Sequence, residues 1–445
     1  MRKLHRYLIP FLVWFFASQN SYAMRQVELS GNARIHQTLT AYNFISGAAA
    51  AFTTNAAAFR EFSPRDGVLS KLKVELSAAP GLGKSVTFTV VIDGSDTAMT
   101  CMISDNSLSC NFNPPVEIPA GKILFMKEVP QGTPTSSLAR YSVVLTTASN
   151  RELILTGGKA IVTSTGPAEA YIPAHGGTAT EITSEFLART TMPFSGKITE
   201  LHANFPPGTG AQTTTFTTLL KGNATNQTCT AVDSTGFCSD TVHPVSFSAG
   251  DSVSIYNTGV MVPQNSGVAL VIVPDTTGDF ISALAGTVAV SSSAKTYLYA
   301  SVGSAAWTTT ETNVLTLGQG GGITKDADVL AMYVQSDSIP SSGSYTIILM
   351  QNQVSTVFSC TISSAGASPD CSAFGKVTLI DGNEYDVQVA PSGGVIEGPP
   401  SEFSNGGSGS FFLDGGDEII LAPSPPFINV GFEISMKQRR VSIAN

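Results

Sequence analysis

Nearly the same phrase is written three times along this chain, about 128 residues apart, and each copy carries one closely spaced cysteine pair. The pairs are Cys101 and Cys110, Cys229 and Cys238, and Cys360 and Cys371. Each follows one strand-like run and precedes another. A repeated unit long enough to fold alone is a domain, so the organisation is constrained before any motif is considered.

The copies can be laid side by side. Val86 to Ile92, Thr214 to Leu220 and Tyr345 to Leu349 occupy the same place, and their period-two alternation sends one apolar set toward a core. After the second cysteine come Val116 and Ile118 before Ala120-Gly121, Val245 and Phe247 before Ala249-Gly250, and Val377 and Leu379 before Asp381-Gly382. Glycine there permits the positive φ of a tight hairpin turn. A strand returns after each turn, most clearly at Tyr385, Val387 and Val389. Upstream, Gly31, Gly158 and Gly286 open stretches leading to Tyr42, Tyr171 and Tyr297, which sets the unit boundaries at 24–157, 158–285 and 286–445.

About eight short strands per unit are too many for one flat sheet and enough for two facing ones. Gly, Ser, Thr, Ala and Val dominate, charged residues are 13%, and no long segment holds a capped 3.6-residue apolar period. The predicted fold class is therefore all-β: three tandem jelly-roll-like antiparallel β-sandwich domains after a cleaved signal peptide. The layout looks like jelly-roll modules of exported surface proteins, which is a likeness of architecture and says nothing of function.

The leader reads as basic residues through Arg6, an apolar run from Tyr7 to Ala17, and Ser21-Tyr22-Ala23. That is the layout of a secretory signal peptide, with cleavage expected after Ala23. The apolar run is shorter than the ~20 residues needed to span a bilayer, and no later run is longer, so no membrane span is expected. Loss of Arg2, Lys3 and Arg6 leaves 21 basic residues against 33 acidic ones, a net charge of −12. Such a surface repels nucleic acid and anionic membrane.

Export makes structural disulfides the expected chemistry of the cysteines. A two-residue turn at Asp105-Asn106 would put Cys101 opposite Cys110 on a non-hydrogen-bonded rung, about 4.5 Å apart at Cα. The same arithmetic holds around Asp233-Ser234, while the third pair is two residues longer, around Ala365-Gly366. The pairs thus read as hairpin staples, each contributing roughly 2.5 to 3 kcal/mol by loop closure. Neither the spacing of a zinc site nor that of a redox Cys-x-x-Cys is present.

Catalytic patterns are missing. Ala78 to Ser85 loosely matches a phosphate loop, yet an alternating strand follows where a helix is required, and the equivalent loops at Pro206 to Gly210 and Ile339 to Gly343 lack the lysine. The histidines beyond the leader, His36, His175, His202 and His243, hold no ligand or triad spacing and no common phase. No cofactor is expected, and the chain reads as not an enzyme.

The third unit departs from the others. A loop and hairpin insertion at about 390–427 is richest in Gly, Ser and Pro from Pro391 to Gly409, and Asp414, Asp417 and Glu418 within it offer oxygen ligands suited to calcium or simply a good turn. Asn223 and Asn226 stand in glycosylation sequons and are expected in surface loops.

The leading functional reading is a secreted or cell-surface structural or adhesive repeat protein, expected to be of bacterial origin with the periplasm as an alternative location, whose partner is a surface or matrix component, glycan or protein. An array of glycan-binding modules is the alternative, with tyrosines as stacking platforms, because Trp307 is the only tryptophan beyond the leader. A hydrolase whose site forms only in space is a further alternative. The units are expected to close as an intramolecular pseudo-trimer, to string out as beads, or to self-assemble through the C-terminal strand.

Overall fold

In the computed structural model the described residues lie between Arg25 and Met436. Residues 1–24, 161–168, 300–315, 318–326, 397–426 and 437–445, with shorter breaks, are outside them. The leader, Trp307, the turn at Asp381-Gly382 and the trio Asp414, Asp417 and Glu418 therefore lie outside the described residues.

The chain is all-β. Among the described residues the only helical turns are Ala56–Ala58 and Phe186–Ala188, and no helix is long and apolar enough to cross a membrane. Among the described residues six sheets form three successive pairs with one repeated order. In the first unit, one sheet runs Arg25–Leu29, Leu138–Thr147, Gly67–Leu76, Ser109–Phe112, and the other Ala41–Asn43, Ile123–Gln131, Gly81–Ile92, Ser95–Asp105. The second unit repeats this with Leu153–Ala160, Asn265–Pro274, Gly196–Asn204, Phe237–Asp240 against Glu169–Pro173, Ser252–Gly259, Thr213–Leu220, Asn223–Val232. The third does so with Leu284–Ala289, Phe427–Met436, Ala327–Ser336, Asp370–Leu379 against Thr296–Tyr299, Glu384–Ile396, Ser342–Gln351, Val354–Ser363.

Alternation fills the space between paired sheets. Met99, Cys101 and Ile103 point inward on one strand, as do Cys229 with Ala231, and Phe358, Cys360 and Ile362, on its counterparts. They meet Phe88, Phe216 and Ile347 of the neighbouring strands, all fully buried. The outward faces explain the threonines. Thr89 with Thr100, Thr217 with Thr228, Thr215 with Thr230 and Thr346 with Thr361 are hydroxyl pairs across the same ladder. Another device recurs in all three units: the hydroxyls of Thr97, Thr225 and Thr356 donate to the carbonyls of Val90, Thr218 and Leu349 and accept from the N–H two residues on.

Four sequence expectations need correction. The cysteine pairs are disulfides within each unit, with Cα separations of 5.7, 5.7 and 5.8 Å. They are not hairpin staples, because Ser95–Asp105 pairs with Gly81–Ile92 in one sheet while Ser109–Phe112 pairs with Gly67–Leu76 in the other. Each bridge ties the two sheets together at the same open edge. The connecting loop is not bound by ladder register, which is why the third can be two residues longer. Gly121 and Gly250 do take positive φ, 79° and 87°, but their turns also carry the chain between sheets instead of closing a hairpin.

The unit boundaries shift as well. Leu153–Ala160 pairs with Asn265–Pro274, so the second sandwich begins before residue 158. Phe280–Ser282 adds in parallel to Arg25–Leu29 of the first unit, and Leu284–Ala289 pairs with Phe427–Met436 of the third, so the segment ahead of 286 leaves the second. Finally, Asn223 and Asn226 sit with exposed side chains on an edge strand, Asn223–Val232, and not in a loop.

Neighbouring units are fused tightly. Ile154 and Ala269 of the second unit belong to the apolar core of the first. Gly267 lies so close to the carbonyl oxygen of Arg60 that a Cβ would fall 1.8 Å from it, and Gly158 abuts the ring of Phe44. Arg65 bridges to Glu152 at 3.1 Å and to Glu200. Burial opposes the Arg65 charge, but both carboxylates outweigh it and raise its pKa; Glu200 is lowered, against its own burial, by Arg65 and His202.

Candidate functional site: a cleft between the second and third units

The two junctions follow one plan. Val74, Ala203 and Val334 each lie opposite the second cysteine of their unit, so Asn204 and Gln335 are equivalent, and so are their ladder partners Phe237 and Asp370. On the preceding unit, Phe62 faces Ile123 as Thr191 faces Ser252, each two residues beyond the glycine of the turn. At the first junction Arg60 Nε donates to Asn204 Oδ1 at 2.8 Å, and Phe62 packs edge-on against Phe237 with centroids 6.4 Å apart. At the second, Thr191 Oγ1 meets Gln335 Oε1 at 3.4 Å, and Gln335 Nε2 donates to the carbonyl of Gly250 at 3.0 Å.

One substitution of chemistry separates them. Where the first junction has two phenylalanines, the second has Thr191 and Asp370. The apolar seal is absent there, and a cleft of about 590 Å³ opens between the units. That size falls in the ~300–1,000 Å³ range of small-ligand sites, which favour such interfaces.

Each wall is positioned by local structure. Arg189 ends the short helix Phe186–Ala188, its guanidinium 4.9 Å over the Phe186 ring and its Nε donating to Glu185 Oε2 at 2.7 Å. Glu185 is fixed in turn by the Ser254 hydroxyl at 2.7 Å. Lys221, in the turn between Thr213–Leu220 and Asn223–Val232, pairs with Asp251 at 2.5 Å. The first unit has the same ion pair with its charges exchanged, Lys122 to Asp93 at 2.7 Å.

The third unit supplies the opposite wall. Tyr333 lies against Gly250, where a Cβ would meet the ring at 3.1 Å, and makes an edge contact with Phe374 at a centroid distance of 5.9 Å. Phe374 is 72% exposed, so most of its surface is open to the cleft and to solvent. The corresponding positions of the second unit hold His202 and Thr241. Crowding by the cleft pushes the Asp370 carboxyl above the ordinary aspartate range, while Arg189 and Lys221 pull it back. The site thus combines an aromatic platform with guanidinium, ammonium, carboxylate and amide groups. Compared with family models and with curated proteins, the chain matches none.

The residues singled out from sequence lie elsewhere. Of the six cysteines only Cys371 borders the cleft, and it is held in its disulfide. The phosphate-loop look-alike is strand from Gly81 onward. The histidines stay apart: His36 Nδ1 caps the N–H groups of Thr38 and Leu39, His202 binds Glu200 at 2.7 Å, His243 binds Asp240 at 3.0 Å, and His175 is buried. Among the described residues no group of His, Cys, Asp and Glu is placed to hold a metal ion.

Sequence reasoning missed Arg189, Lys221, Tyr333, Gln335, Asp370 and Phe374, which come from two units and share no motif. One signal was present. Aligning the copies through their second cysteines exposes the exchange of Phe237 for Asp370.

Proposed function

We propose that this chain is an exported, non-enzymatic structural or adhesive protein whose three sandwiches close into a pseudo-threefold rosette. The observation that carries the reading is the meeting of the opening strands. Gln26 of the first unit hydrogen-bonds the backbone of Ile154 at the start of the second, and Arg25–Leu29 also takes Phe280–Ser282, which leads into the third, as a parallel neighbour. A head-to-tail contact used twice either closes or spirals, and this third contact, which returns the chain to the first unit just before the third begins, supports closure.

A closed, disulfide-pinned particle suits a body exposed to an oxidising extracellular or periplasmic setting. Small-angle scattering on the exported chain tests it. A compact particle with all six cysteines oxidised is expected; the maximum dimension of three beads in a row, or free thiols, overturns it. A second reading, recognition of glycans, is favoured by the aromatic and polar cleft at the second junction.

A further inference from the structure

We propose that the cleft between the second and third units binds a neutral oligosaccharide, with Phe374 and Tyr333 as the stacking surface and Asp370, Gln335 and Arg189 as the hydroxyl-binding groups. This deepens the glycan reading and rests on the second junction alone, so it stands whether or not the ring closes.

A pyranose presents an apolar face of C–H groups and a rim of hydroxyls that both donate and accept. Its receptor needs an accessible aromatic face and, beside it, donors and acceptors held at fixed positions. Both are present. Phe374 is 72% exposed, so its ring face is open to a ligand, and its edge contact with Tyr333 orients it. Asp370 is an acceptor at the cleft wall, Gln335 is held by Gly250 and Thr191, and Arg189 is held by Glu185.

Charge selects a neutral sugar over an acidic one. The carboxylates of Glu185, Asp251 and Asp370 outnumber the cations of Arg189 and Lys221, and two of those carboxylates already engage the two cations. A uronate or sialic acid would add a fourth carboxylate to a site that holds two cations. The first junction supplies an internal control, since Phe62 and Phe237 occupy the corresponding space there.

The test is binding of the mature chain to an immobilised panel of neutral oligosaccharides of glucose, N-acetylglucosamine, mannose, galactose and xylose beside uronate-containing and sialylated ones. Retention on at least one neutral member is expected. Phe374→Ala, a change at an exposed position, should weaken it about tenfold or more. Thr191→Phe with Asp370→Phe rebuilds the seal of the first junction and should abolish binding while thermal unfolding is kept. No retention on any neutral member, retention on acidic members alone, or binding that survives both variants overturns the proposal. Scattering from the same sample separates this outcome from failure of the rosette.

Discussion

The side-chain amide of Gln26 clasps the backbone of Ile154 from both sides, donating to its carbonyl at 2.6 Å and accepting from its N–H at 2.9 Å. Gln26 is 2% exposed, so both bonds are shielded from water. Gln26→Ala leaves the N–H and carbonyl of Ile154 without these partners at a buried seam, a loss of about 1–3 kcal/mol. Urea unfolding should show it as a lower midpoint. An unchanged midpoint would mean that the seam contributes nothing to stability.

Gly267 and Gly94 offer a matched contrast. Both lack a Cβ, but only at Gly267 would one collide with a neighbouring unit, 1.8 Å from the Arg60 carbonyl oxygen. Gly94 has open space around it and a φ of +80°, so alanine there meets only local backbone strain of about 1–2 kcal/mol. Gly267→Ala should pry the first junction apart at a cost of about 3 kcal/mol or more and enlarge the particle in scattering. Gly94→Ala should leave the dimensions alone.

Strand positions were legible because alternation and turn residues are local: Val86 to Ile92, Thr214 to Leu220 and Tyr345 to Leu349 lie in strands where the pattern placed them. Connectivity was not. A strand pair flanking a short loop reads as a hairpin whether the strands share a sheet or face each other across a core, and nothing in Cys101 to Cys110 distinguishes the two. The start of the second unit was misplaced for a related reason. Leu153, Ile154 and Leu155 resemble the end of the preceding run, and only their pairing with Ile272, Val271 and Leu270 assigns them forward. The cleft was least legible of all, since Arg189 and Phe374 acquire meaning only when two units meet.

The disulfides make a sharper prediction than hairpin staples would. Cys229 and Cys238 sit within the apolar core of the second unit on strands of opposite sheets. Replacing both with alanine should lose about 2–3 kcal/mol, with hydrogen exchange rising in Asn223–Val232 and Phe237–Asp240 together. Non-reducing peptide mapping should recover Cys101 with Cys110, Cys229 with Cys238 and Cys360 with Cys371. A bridge between units would contradict the fold.

Two buried groups make the largest opposing contributions to the pH response. Burial lifts the Glu128 carboxyl to about 8, only partly opposed by the bond it accepts from the His36 N–H, so the folded chain holds a proton there that the unfolded chain releases. Its contribution is complete below the ordinary glutamate range and is lost as pH rises toward 8. Burial drops the His175 imidazole to about 3, so there the unfolded chain binds the extra proton, and stability is lost as pH falls from the ordinary histidine range toward 3. Between the ordinary values of the two groups, about pH 4.5 to 6.5, the opposing slopes cancel. Thermal unfolding should therefore show a plateau there with a fall on either side. Glu128→Gln keeps the oxygen that accepts from His36 and removes the titration, so it should flatten the alkaline fall and, with nothing left to cancel the His175 slope, extend the acid fall up to the ordinary histidine range. An alkaline limb unchanged in that variant would assign the fall to other groups.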